Sequence, residues 1–107
     1  MVINIRAVHI ELTQAIREYV EEKMNSLSKY DDGILLIDVD LGKDTNHHQK
    51  GDVFSCSAKV EVTGDLIVVE KTTETLYKAI DKVRDHLREM LAERKDKNNK
   101  RERKMNA

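Results

Sequence analysis

Two stretches of period-two alternation constrain this chain more than any other feature. Leu35, Ile37, Val39 and Leu41 alternate with Leu36, Asp38 and Asp40. After a polar loop, Gly42–Gly51, residues Phe54, Cys56, Ala58, Val60 and Val62 alternate with Ser55, Ser57, Lys59 and Glu61. Side chains along a strand point to opposite faces in turn, so each stretch predicts a strand buried on one side only. Gly64-Asp65 then offers a two-residue hairpin turn, and Leu66–Lys71 returns as a further strand. At the N-terminus, Val2–Arg6 reads as a short strand with Ile3 and Ile5 on one face.

Helical spacing fills the remaining segments. Leu12, Ile16, Val20, Met24 and Leu27 make one apolar stripe opposite Glu18, Glu21 and Glu22, with Thr13 as N-cap and Asp31-Asp32-Gly33 as the stop. Leu76, Ile80, Val83, Leu87 and Leu91 make a second stripe, capped by Thr72 or Thr73. The order β-α-β-β-β-α follows. A helix between the first two strands allows a parallel crossover, and the other neighbours are hairpin-linked and antiparallel. Each strand has one apolar face, so both helices belong on that side. The expected fold class is α+β: a two-layer sandwich with a four-stranded mixed sheet, two helices on one face and the other face wet.

A chain of 107 residues builds one core, and 36% charged with 4% aromatic residues makes it a lean one of Ile, Leu, Val and Ala. No apolar run approaches the roughly 18 residues needed to span a bilayer. The start, Met1-Val2-Ile3-Asn4-Ile5-Arg6, lacks the apolar core of a signal peptide. A single cysteine, Cys56, forms no internal disulfide and fits a reducing cytoplasm. There is no proline, no linker and no internal repeat.

Charge is distributed unevenly. Residues 94–107 hold seven Lys/Arg against two Asp/Glu, and residues 1–93 hold twelve against eighteen. A body of −6 thus leads into a tail of +5, an asymmetry that marks either a phosphate-bearing partner or a solvated tail. The chain divides into a folded domain over 1–95 and a basic, flexible tail over 96–107.

Catalysis finds little support. Nucleophile elbow, P-loop and dinucleotide fingerprint are all missing. His47-His48 lacks the spaced partners of a closed zinc site, and Cys56 reads as a small buried hydrophobe. No enzyme, metal or cofactor is expected. RNA fits better, but not by base stacking on the sheet, because Phe54 falls on its core side. Backbone contact from helices and tail remains. Tyr77, Arg84, Arg88 and Lys95 fall along one edge of the last apolar stripe. Lys78 and Lys82 lie further round among Asp81, Asp85 and Glu89, and in the first helix Lys23 falls within the apolar arc with Arg17 at its margin. Taken singly, these cations better suit a structural role, with Lys23 snorkelling its stem over the core and Arg84 and Arg88 making weak i,i+4 pairs. Taken together with the tail, they favour RNA.

Glu11-Leu12-Thr13-Gln14-Ala15-Ile16-Arg17-Glu18-Tyr19-Val20-Glu21-Glu22-Lys23-Met24 resembles the first helix of bacterial ribosome hibernation-promoting factors, also called ribosome-associated inhibitors. Thr75-Leu76-Tyr77-Lys78-Ala79-Ile80-Asp81 is similar to the Asp-Met-Tyr-x-Ala-Ile-Asp that opens their second helix, with Thr75 in place of the Asp. The resemblance spans about residues 1–95. It implies a β-α-β-β-β-α domain that binds the small ribosomal subunit and its rRNA at the decoding region. There the domain overlaps mRNA and the A- and P-site tRNAs and silences idle ribosomes without catalysis. It further implies a cytoplasmic short form, since this chain ends before the second domain of long members. His86, Glu89 and Glu93 stand where members often carry Lys, Arg and Lys, with Arg84, Arg88, Arg94 and Lys95 supplying charge from neighbouring positions. Lys23 and Lys29 match basic positions of the first helix. The expected RNA-binding set is therefore Lys23, Lys29, Lys78, Lys82, Arg84, Arg88, Arg94 and Lys95. Two rivals remain: a general RNA-binding module or chaperone without ribosome specificity, and a protein-interaction domain whose acidic body meets a basic partner.

Overall fold

The computed structural model describes residues 1–44, 51 and 53–105, and beyond Lys97 only the backbone course of the last helix. His47-His48 falls outside the described residues. The elements are β1 (Val2–Val8), α1 (Gln14–Asn25), a single 3-10 turn (Ser26–Lys29), β2 (Ile34–Asp44), β3 (Val53–Val62), β4 (Asp65–Thr73) and α2 (Leu76–Met105). The sheet runs in chain order, β1-β2-β3-β4, with β1 parallel to β2 and the other pairs antiparallel. This is the expected α+β sandwich.

Register explains which side each residue takes. Ile37, Val39 and Leu41 of β2, Cys56, Ala58, Val60 and Val62 of β3, and Ile67 and Val69 of β4 are all buried. They pack beneath Val20, Met24 and Leu27 and beneath Leu76, Ala79, Ile80, Val83, Leu87 and Leu91 of α2. Ile3, Ile5 and Ala7 of the edge strand β1 complete the layer while only partly covered. The opposite face carries two cross-strand contacts, Asn4 Nδ2 to Asp38 Oδ1 at 3.0 Å and Arg6 Nε to Asp40 Oδ1 at 2.9 Å. That face also exposes Val2, Leu66 and Val68.

Four local expectations need correction. Leu35 is exposed and Ile34 is buried instead, because a register irregularity at Ile34/Leu36 puts an extra residue into β2 and reverses the alternation there. The hairpin turns on Thr63-Gly64 rather than Gly64-Asp65, since Val62 pairs with Asp65. Gly64, at φ +81°, then sits at the second central position, where a type II turn needs a positive φ. The first helix stops at Asn25 and tightens into the 3-10 turn before Asp31-Asp32-Gly33 is reached. The last helix is capped by Thr75, whose Oγ1 accepts from Lys78 N at 3.3 Å. Thr13 caps α1 as expected, accepting from Ile16 N at 3.2 Å.

Helix α2 runs without a break past residue 95 to Met105. Residues 94–105 contain no Gly or Pro and are rich in Lys, Arg and Glu, which favour helix even without burial.

Candidate nucleic-acid interface on the helices

The expected cations do not form one patch. They divide into a group where α1 meets α2, a flank on the far side of α2, and two isolated positions.

At the helix junction, Tyr19 of α1 and Tyr77 of α2 pack edge to face, ring centroids 4.7 Å apart and planes at 86°. Such pairs hold both rings in fixed orientation. Tyr19 Oη donates to Asp81 Oδ1 at 2.6 Å, and Lys23 Nζ approaches the same oxygen at 3.6 Å while lying 5.2 Å from the Tyr19 ring centre. The Asp81 hydrogen bond, reinforced by burial and by the Asp81 charge, pushes the Tyr19 hydroxyl up to about 12, with Arg84 pulling weakly the other way. Arg84 Nε pairs with Asp85 at 2.8 Å. Further along the same helix edge, Arg88 and Lys95 are exposed and make no ion pair among the described residues. Residues 77, 84, 88 and 95 recur within about 40° of one another around a 3.6-residue helix. The line is therefore one row, with Tyr77 at its start.

The far flank is mixed in sign. Lys78 Nζ pairs with Glu74 at 2.6 Å, which holds the Glu74 carboxyl below its ordinary range. Lys82 is exposed and shares a shallow recess with Lys71, Asp85, His86 and Glu89. Neighbouring carboxylates there oppose the approach of a phosphate.

Two candidates stand apart. Lys29 ends the 3-10 turn, exposed and without an ion pair among the described residues. Arg94 is engaged within the fold, its Nη1 donating to Asp31 Oδ2 at 2.7 Å and its Nη2 to the Thr63 carbonyl. Its side chain is 21% exposed, and that of Asp31 only 9%.

Sequence reasoning missed the Tyr19–Asp81 and Arg94–Asp31 links, which join residues more than 60 positions apart. One signal was available: Tyr19 and Lys23 are four residues apart, on one face of α1.

Among the described residues, no group of three or more His, Cys, Asp or Glu side chains converges on a metal position. Cys56 is fully buried, and burial together with the Asp40 charge pushes its thiol up to about 12. A thiol so poor in thiolate is a packing group. Among the described residues, no helix is long and apolar enough to cross a membrane.

These features define a small α+β domain with an open sheet face, most of whose basic residues lie on its helices and the extension of α2. Residues 3–99 match the family described as Sigma 54 modulation protein / S30EA ribosomal protein, and the chain belongs to that family. It is 32% identical over 97 residues to the ribosome hibernation promoting factor of Pseudomonas putida, covering 91% of this chain and 89% of that protein. The protein of the same name from Escherichia coli (strain K12) is also 32% identical over 97 residues, covering 91% and 96%. Among solved structures, the Thermus thermophilus Protein Y N-terminal domain superposes with a TM-score of 0.74 at 31% identity, covering 84% of this chain and 93% of that one. A ribosomal subunit interface protein from Coxiella burnetii reaches 0.78 at 21% identity, covering 90% and 99%, and speaks for the fold alone.

Proposed function

We propose that this protein is a cytoplasmic ribosome hibernation factor that binds the small ribosomal subunit at the decoding region. By occupying that groove it excludes mRNA and tRNA and silences idle ribosomes, without catalysis and without a cofactor. Family membership and the relatives' names support the association with ribosomes. The observation that carries the RNA-facing part is the row on α2: Arg88 and Lys95 stand exposed beyond Tyr77 and Arg84, with no carboxylate partner of their own among the described residues. Phosphate contacts of this kind supply affinity and orientation, while the shape of the domain selects the site.

In this reading residues 1–95 form the binding domain and residues 96–107 a basic extension whose +3 charge adds long-range attraction. Lys23 contributes through the junction it neutralises, and Lys29, Lys78 and Lys82 are secondary contacts.

Co-sedimentation with vacant small subunits, set against tRNA and unrelated duplex RNA, tests the reading. Selective pelleting with the subunit is the expected result. Equal affinity for all three RNAs would make the protein a general RNA binder, and binding to none would leave the protein-interaction reading.

A further inference from the structure

The base-stacking aromatics of an open sheet are missing here, yet one aromatic ring is left in solvent. Tyr77 is 44% exposed, whereas Tyr19, Tyr30 and Phe54 are each partly buried against the core. It stands at the start of the basic row rather than on the sheet. We infer that Tyr77 is a stacking platform for one unpaired nucleobase of RNA, with Arg84 and Arg88 holding the phosphates that follow it. This inference rests on the functional reading above and names the ligand class of that same helical edge.

Three features of the junction prepare Tyr77 for stacking. The first is rigidity. Tyr19 packs against it at 86°, and Tyr19 is itself tied to Asp81 through its hydroxyl, so the Tyr77 ring is oriented before any ligand arrives. The second is solvent access to the ring, since Tyr77 is 44% exposed. In an edge-to-face pair one ring presents its edge and the other one face, so whichever role Tyr77 takes, Tyr19 leaves at least one of its faces uncovered. The third is charge. Asp81 lies one helical turn beyond Tyr77 and would repel a nucleotide, but Lys23 at 3.6 Å and the Tyr19 hydroxyl both engage that carboxylate. Past it, Arg84 and Arg88 follow at i+7 and i+11, about 10 and 16 Å along the helix axis. Arg84 Nε pairs with Asp85 at 2.8 Å and leaves its two terminal nitrogens for a phosphate, and Arg88 is without an ion pair among the described residues. A ring that offers a π face beside a track of cations is the arrangement by which proteins hold single-stranded nucleic acid.

Stacking and phosphate contact leave different signatures in salt. Replacing a phosphate-binding cation flattens the dependence of log K on log salt by roughly 0.7 to 0.9 per contact. Removing a stacking ring lowers affinity at every salt concentration and leaves the slope alone. We therefore expect Tyr77→Leu to weaken binding to vacant small subunits on the order of 5- to 150-fold with the slope unchanged. Arg88→Gln should reduce the slope, and Tyr77→Phe, which keeps the π face, should lose far less than Tyr77→Leu. The chain has no tryptophan, so Tyr77→Trp also provides a single fluorophore. Its emission should be quenched on adding small subunits, after correction for absorbance. If Tyr77→Leu unfolds, the fluorescence of Tyr77→Trp decides alone. Wild-type binding with an undiminished Tyr77→Leu, or an unquenched Tyr77→Trp that still binds, would overturn the stacking role and leave the ribosome reading standing. Failure of the wild-type protein itself to bind the subunit would overturn both.

Discussion

Arg94 and Asp31, 63 positions apart, form the contact that fixes the far half of α2: guanidinium and carboxylate meet at 2.7 Å, and the second guanidinium nitrogen reaches the Thr63 carbonyl. Asp31 Oδ1 meanwhile accepts from Gly33 N at 2.7 Å. One arginine thereby ties the helix to the entry of β2 and to the β3–β4 turn. Buried Leu91 lies less than one turn before it.

Removing Arg94 should therefore destabilise the fold. A hydrogen bond to a charged group contributes about 1.5–3 kcal/mol when partly buried, and a stranded Asp31 adds to the loss. Arg94→Ala is expected to cost about 2 kcal/mol in urea unfolding. Arg94→Lys should recover under half of that, because an ammonium lacks the fork that spans carboxylate and carbonyl. A double-mutant cycle with Asp31→Ala checks the assignment, and a coupling energy near zero would contradict it.

The residues that could be read from sequence are those governed by periodicity. Val39, Leu41, Ala58 and Val60 lie where a two-residue period puts them, and Ile80, Val83, Leu87 and Leu91 where a helical one does. Leu35 escaped because one inserted residue reverses an alternation that is otherwise regular. Thr72, Thr73 and Thr75 are equivalent as caps until the end of β4 is known, and pairing with β3 extends that strand to Thr73. Arg94 looked like the first residue of a basic tail because its partner Asp31 belongs to a turn far away in the chain. Local charge patterns report the sum of nearby charges, but not which of them are already engaged.

Alkaline pH should act through Tyr19. Its hydroxyl ionises near 10.0 in the unfolded chain and near 12 when folded, because the protonated form donates to Asp81. The raised value means that this hydrogen bond stabilises the fold fully below pH 10, and the gain disappears between 10 and 12. The stability difference between wild type and Tyr19→Phe should be constant up to about pH 9.5 and shrink progressively as the pH rises towards about 12. A difference that does not change across that window would remove the Asp81 bond as its source.

Deleting residues 98–107 should separate folding from binding. Among the described side chains, the last buried one is Leu91 and the last that ties the helix to the body is Arg94. Thermal stability should change by less than about 1 kcal/mol, as for surface segments generally. The deletion removes four Lys/Arg and one Glu. If those cations meet phosphates, the salt slope for the small subunit should become shallower by up to about 3. Loss of folding would show that the helix extension packs against the body, and an unchanged slope would show that it contacts no phosphate.

Occupancy of the decoding groove makes a reciprocal demand. If this protein and P-site tRNA exclude each other, each must weaken the apparent affinity of the other by the same thermodynamic coupling. Titrating initiator tRNA and mRNA onto small subunits should displace the bound protein. The protein should raise the apparent dissociation constant of the tRNA in proportion to one plus its own concentration over its own constant. Under the proposed overlap the block is steric, so it should also be reversible. Salt weakens phosphate contacts steeply, so a high-salt wash should strip the protein and restore translation. Ribosomes that stay inactive after the protein is removed would point to chemistry instead of occlusion. Simultaneous tight binding of the protein and P-site tRNA to one subunit would refute the overlap, even where translation is inhibited.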